Sequence, residues 1–251
     1  MTRWLVVTLM APLASFGERA GNVERPTADR PTRSALIGLA GAALGIRRAD
    51  HEGQRRLAAS FRVATATPGA GSLVSDFHTY QSLPSSSRPP PQMRPEALAR
   101  RTDLVTSITR REYRADVWHE AAYALQDGAH WKLEDLSDAF RAPRFTLSLG
   151  RKSCPLSAPL DPKIIEADDL GEVFRQRRGE SAWLDSKTPV FDRRRWRHRQ
   201  GAIAAERRED LGAANRRLRQ HRRHDEPGDR LAWQFSARRE FVLPGIEEEK
   251  T

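Results

Sequence analysis

Polar and apolar positions alternate most clearly at the amino end of the chain. Between Trp4 and Leu13, Trp4, Val6 and Thr8 interleave with Leu5, Val7 and Leu9, and β-branched residues are frequent. That pattern predicts a buried first strand rather than a signal peptide, because Thr8 and Pro12 interrupt the apolar run. The period then changes. "PTRSALIGLAGAALG" (31–45) predicts a helix capped by Thr32 and closed by Gly45. Gly38, Gly41 and Gly45 form one stripe on it, which predicts close approach of another backbone, the sheet. "HEGQRRLAASF" reads as a second helix, and "FRVATAT" and "SLVSDFHTYQ" as strands.

From 82 to 110 no apolar period survives; "SLPSSSRPPPQMRPEALARR" predicts a protruding excursion. "TRREYRADVWHEAAYAL" resumes as a long strand, and "HWKLEDLSDAFRAP" as an amphipathic helix with Trp131, Leu133, Leu136 and Phe140 on one face. "FTLSLG" reads as a strand and "GRKSCP" as a turn. Strand–helix–strand–strand–helix–strand is the ferredoxin-like, RRM-type order, an α+β fold with helices on one face of the sheet. This domain is expected over 1–160. The remainder, 161–251, is expected to be an irregular basic extension. In it, Ala204, Leu211 and Leu218 recur at seven, predicting a basic helix within 192–224, and a last strand is expected at 231–243.

Charge sharpens this picture. Of 43 cationic residues only five are Lys, leaving 38 Arg, and the formal net charge is +10. Arg offers a planar fork suited to phosphates and bases, so a nucleic-acid partner leads; arginine enrichment in a GC-rich genome explains the same composition. From Asp192 to His224, twelve Arg face four acids. Cys154 is the only cysteine, which excludes an intrachain disulfide and fits a reducing, cytoplasmic setting. No segment supplies the ~20 apolar residues of a membrane span. No phosphate-loop or dinucleotide fingerprint occurs, and no cofactor is expected. His221, His224 and Asp225 lack a fourth metal ligand, so surface histidines are the ordinary reading and no metal is expected.

Three basic clusters carry the binding chemistry. Arg25, Arg30, Thr32, Arg33 and Ser34 surround a helix start whose free N–H groups favour an anion. Arg110, Arg111, Tyr113 and Arg114 lie on one strand, Arg111 with Tyr113 on one face and Arg110 with Arg114 on the other. Arg151, Lys152 and Ser153 form a turn behind Gly150. His78 and Tyr80 share a strand face, where they serve either acid–base cleavage of RNA, base stacking, or a satisfied core.

"GERAGNVERPTADRPTRSALIGLAGAALGIRR", "DFHTY", "TRREYRAD", "LGRKSCPLSAPL" and "FSARREFVLPG", in this order and spacing, resemble the CasD family of type I-E CRISPR Cascade subunits, which are RAMP-type ferredoxin-like proteins. The resemblance implies a non-catalytic protein that caps the complex and binds the 5′ handle of the crRNA. A related subunit of another subtype is a repeat endoribonuclease, which is the alternative. Implied partners are crRNA, the repeated backbone subunit and the large subunit that reads the protospacer-adjacent motif, with target DNA met only indirectly. Arg25, Arg30, Thr32, Arg33 and Ser34 match the handle-binding helix start. His78 and Tyr80 match the strand before a thumb at 82–110, Arg110, Arg111 and Arg114 its base, and Arg151, Lys152 and Ser153 the turn. The thumb here is rich in Pro and Ser, and the resemblance supplies no role for 192–224.

Overall fold

The computed structural model describes residues 1–18, 21, 23–179, 201–212, 218–229, 232 and 234–245. The expected first strand is β1 (Thr2–Ala14). It lies inside the sheet, between β6 (Lys163–Ala167) and β5 (Val105–Leu125), and both pairings are antiparallel. Its odd residues Leu5, Val7 and Leu9 enter one core, and Trp4 and Val6 enter another on the opposite face. A strand buried on both sides explains why its apolar run is almost unbroken.

α1 (Arg33–Leu44) is capped by the Thr32 hydroxyl, which accepts from the Ala35 N–H, and closes at Gly45 with φ 78°. Leu36, Ile37, Ala40 and Ala43 face the core. The glycine stripe meets a helix instead of the expected sheet. A Cβ on Gly41 would touch Leu57 of α2 (His51–Ser60), and Gly45 lies under the Arg144 side chain. The close approach is therefore between α1 and its neighbours on the same face.

β3 (Phe61–Gly69) pairs with the inner half of β5, and β4 (Ser72–Ser82) with its outer half. The two strands form one side of a long hairpin. Its outer part leaves the core as an arm with both faces exposed in β4, tipped by the 83–104 loop that carries α3 (Arg94–Ala99). β2 (Glu24–Arg25) pairs in parallel with the base of the arm. α4 (Leu133–Arg141) buries Leu133, Leu136 and Phe140 as its period predicts.

The strand expected at "FTLSLG" does not form; only a bridge joins Ser148 and Pro155. The N–H groups of Arg144 and Phe145 donate to Ala43 and Ala42 at the end of α1, so they cannot enter a ladder. Leu147 and Leu149 still reach the core. β6 takes the place of the missing strand, and β6–β1–β5–β3 is the ferredoxin-like order.

The same sheet continues beyond residue 160 through β7 (Ala202–Ala205), β9 (Phe235–Leu243) and β8 (Arg219–Pro227). The basic helix expected within 192–224 is thus replaced, in the described residues, by β7, a short 3-10 turn and the start of β8; 192–200 and 213–217 lie outside the described residues. Its seven-residue repeat has a different cause. Ala204 is buried in β7, Leu211 sits in a short 3-10 turn, and Leu218 precedes β8. Gly212, at φ 82°, breaks any helix between them. α1, α2 and α4 cover one face, whereas α5 (Leu170–Gly179) covers the other with Leu170, Val173 and Phe174.

Candidate nucleic-acid interface

The first predicted cluster divides. The amide of Arg33 donates to Asp225 Oδ2 at 2.7 Å, so the anion at the start of α1 is a carboxylate of β8. The Arg33 side chain is 4% exposed; Nη1 reaches Glu206 Oε1 at 2.5 Å and Nε lies 2.7 Å from Glu226 Oε2. It also donates to the carbonyls of Phe61 and Ala58. Arg30 is held by Glu240 Oε2 at 2.7 Å and by Asp29 at 3.0 Å. Arg238 bridges Asp225 and Glu240. Burial pushes the Glu206 carboxyl up, and Arg33 opposes that shift. Thr32 is spent on the cap, and its hydroxyl lies 3.1 Å from that of Ser34. The donors and arginines expected to hold an RNA phosphate at this helix start are paired here with carboxylates of β8, of β9, of Glu206 after β7 and of Asp29 before the helix. Asp225 is likewise engaged by Arg33 and Arg238, so it is not offered to a metal beside His221 and His224.

The members that remain outside this network converge at the base of the arm. Arg25 stands beside Arg111 on paired strands. Arg151 Nη2 donates to the Arg25 carbonyl at 3.3 Å, and its guanidinium carbon lies 4.6 Å from the centre of the Tyr113 ring. Gly150 sets this placement. With φ 88° it lets the turn lie against β1's exit, where a Cβ would run into the Ser15 carbonyl. The Ser15 N–H donates to Leu149, and the Ser15 hydroxyl to the Glu112 carbonyl, which ties turn and arm together. Lys152 and Ser153 are exposed on the turn.

The guanidinium groups of this base are not fully satisfied. Arg111 Nε, Arg114 Nε and Arg151 Nη1 are buried and have no hydrogen-bond partner among the described residues. A buried unsatisfied donor on a cation costs free energy that an arriving phosphate recovers. Arg114 belongs only partly to the site. Together with Arg30 it opposes protonation of His119, whose pKa burial lowers to about 3. Arg110 lies on the other face of the arm, 3.9 Å from Glu24.

Farther out, His78 and Tyr80 share the arm face of Arg111 and Tyr113, as their cross-strand partners Thr109 and Ser107 show. Tyr80 is exposed. His78 Nε2 is 2.6 Å from Asp76. One face of the arm therefore presents Arg111 and Tyr113, with Arg151 over the ring and Arg25 paired beside Arg111, and a second ring and an imidazole beyond. Tyr113, a ring between arginines on a strand, lies under the Arg151 guanidinium at this base. The ion network around Arg33 was missed. Its signal is acids placed among arginines, in "RHDEP" and "RREF".

A ferredoxin-like sheet, a projecting hairpin and an arginine-rich aromatic base define a RAMP-type protein. Residues 4–239 match the family model described as CRISPR-associated protein (Cas_Cas5). The chain is 30% identical over 184 residues to the CRISPR system Cascade subunit CasD of Escherichia coli (strain K12), covering 67% of this chain and 74% of that protein. A structure titled "CRISPR RNA-guided surveillance complex" superposes with TM-score 0.59 at 22% identity over 96% of this chain and 89% of that chain. One titled "Crystal structure of Cas protein" gives TM-score 0.53 at 26% identity, covering 96% of this chain and 95% of that chain. The chain belongs to the CRISPR-associated protein (Cas_Cas5) family.

Proposed function

We propose that the protein is a non-catalytic RNA-binding subunit of a CRISPR Cascade complex that holds the 5′ handle of the crRNA at the base of its arm. The observation that carries this is the Arg151 guanidinium over the Tyr113 ring beside the paired Arg25 and Arg111. Cations that track a backbone beside rings that stack on bases are the elements of a single-strand site. Lys152, Ser153, His78 and Tyr80 extend it. The relationship to a Cascade subunit of Escherichia coli supports the assembly role. On this reading the partners are crRNA, the repeated backbone subunit and the large motif-reading subunit, and target DNA is met through them, in the cytoplasm. No helix of the described residues is long and apolar enough to cross a membrane.

The alternative, a metal-independent repeat endoribonuclease, has less support. His78 is engaged by Asp76 on an exposed strand, and both side chains are open to solvent rather than set in a cleft. Binding of a synthetic handle RNA to the full chain tests the proposal. Arg111→Ala with Arg151→Ala removes two phosphate contacts, so the slope of log affinity against log salt falls by about 1.4. An unchanged slope and affinity refute the site. A specific product from repeat RNA in EDTA refutes the non-catalytic reading.

A further inference from the structure

We infer that the exposed face of the β8–β9 ribbon is a second nucleic-acid site, which takes the phosphate backbone of a duplex. The ribbon places arginines directly opposite one another twice: Arg223 against Arg238, and Arg222 against Arg239. Like charges opposed across a sheet destabilise it. The two pairs are treated differently. Arg223 lies 3.5 Å from Glu18, and Arg238 is bound by Asp225 and Glu240. Arg222 and Arg239 are exposed, and neither has a carboxylate partner among the described residues. The acids of this region are thus gathered on the side of α1. The side that Arg239 shares with Phe241, which packs toward the α5 core, keeps its positive charge.

Protection of a free sheet edge explains a charge on either strand, but not two like charges set directly opposite each other. Charged residues do blunt edge strands, and Arg222 lies on one. Arg239 is on β9, short of the Phe241–Leu243 stretch that pairs with β7, so only β8 lies beside it there. Two unneutralised arginines set against each other fit a polyanion ligand. Opposed residues in such a ladder are about 5 Å apart, so the two forks act on one stretch of backbone.

Among the described residues this face presents no exposed ring, which selects the form of nucleic acid. Single-strand sites pair cations with exposed aromatic platforms, as the arm does with Tyr80. On this ribbon face Phe235 and Phe241 are half-buried. A surface that grips phosphates without offering stacking suits a duplex, whose bases are already stacked. β8 is four strand spacings from β5, about 19 Å along the sheet, and so is separate from the arm site.

The test uses the full chain with Arg222→Gln and Arg239→Gln together, and a 20-bp DNA duplex, the same RNA duplex and single-stranded handle RNA as probes. Loss of two contacts lowers the duplex salt slope by about 1.8, so wild type loses about twelvefold more affinity than the variant between 50 and 200 mM salt. Handle-RNA binding stays at wild-type strength. Arg222→Lys with Arg239→Lys retains the slope. The relative effect on the DNA and RNA duplexes identifies which duplex the face takes. An unchanged duplex slope, or an equal loss of handle-RNA binding, overturns the inference. Handle binding that fails in the Arg111/Arg151 variant but persists here leaves the arm site intact, so the two readings fail separately.

Discussion

Replacing Arg33 with Ala separates a structural arginine from an RNA-binding one. The side chain is buried between Glu206 and Glu226 and donates to two backbone carbonyls. Its removal strands Glu206, which then retains the Val63 N–H as its hydrogen-bond donor. Breaking one side of a buried ion pair costs about 3–5 kcal/mol. For a chain of this size that lowers the melting temperature by about 6–20 °C. The assay is thermal unfolding followed by circular dichroism, with handle-RNA affinity measured well below the transition. The expected result is a large drop in Tm with affinity within about twofold of wild type. Replacing Arg33 with Met and Glu206 with Gln together should recover part of the loss, because no charge is then left buried and unpaired. An unchanged Tm combined with a tenfold loss of affinity would refute the reasoning and return Arg33 to the RNA site.

Two further outcomes follow from buried groups. Burial raises Glu120 from 4.5 to about 7, with Arg178 at 3.9 Å opposing the shift. The unfolded chain therefore ionises first, and stability declines as pH rises from about 4.5 to 7, by up to about 3 kcal/mol. Glu120→Gln should raise Tm at pH 8 and change it little at pH 4.5; equal shifts at both values would contradict this. Gly150→Ala forces a Cβ into the Ser15 carbonyl at positive φ, costing more than about 1 kcal/mol. Since the same turn aims Arg151, handle affinity should fall with stability, and a loss of stability alone would show that the arm does not depend on the turn.

The α+β sheet, most of its strands and the capped α1 were legible because their signals are local. Alternation in β1, a Thr32 cap and a Gly45 terminator each act within a few residues. What misled was pattern without partners. "FTLSLG" alternates, yet its N–H groups go to the end of α1. The repeat at Ala204, Leu211 and Leu218 imitates a helix, while Gly212 and the ladders to β3 and β9 make strands of the flanks. In the candidate site, alternation correctly sorted Arg111 from Arg110. No local rule reveals that Arg33 meets Glu206, Glu226 and Asp225, because sequence distance hides those pairs. A cluster of cations reads the same whether its counter-ions are phosphates or distant carboxylates.

That network also bears on how the chain acquires its structure during synthesis. Arg30 and Arg33 emerge early, but the carboxylates that neutralise them follow 173 to 210 residues later. Until then the buried Arg33 at the start of α1 lacks its counter-charges and Arg30 has only Asp29 beside it, so docking of the helix is unfavourable. Contacts of such high order also slow folding. The last strands thus act as a checkpoint on the first helix: the amino-terminal half settles only when the distal sheet has been made.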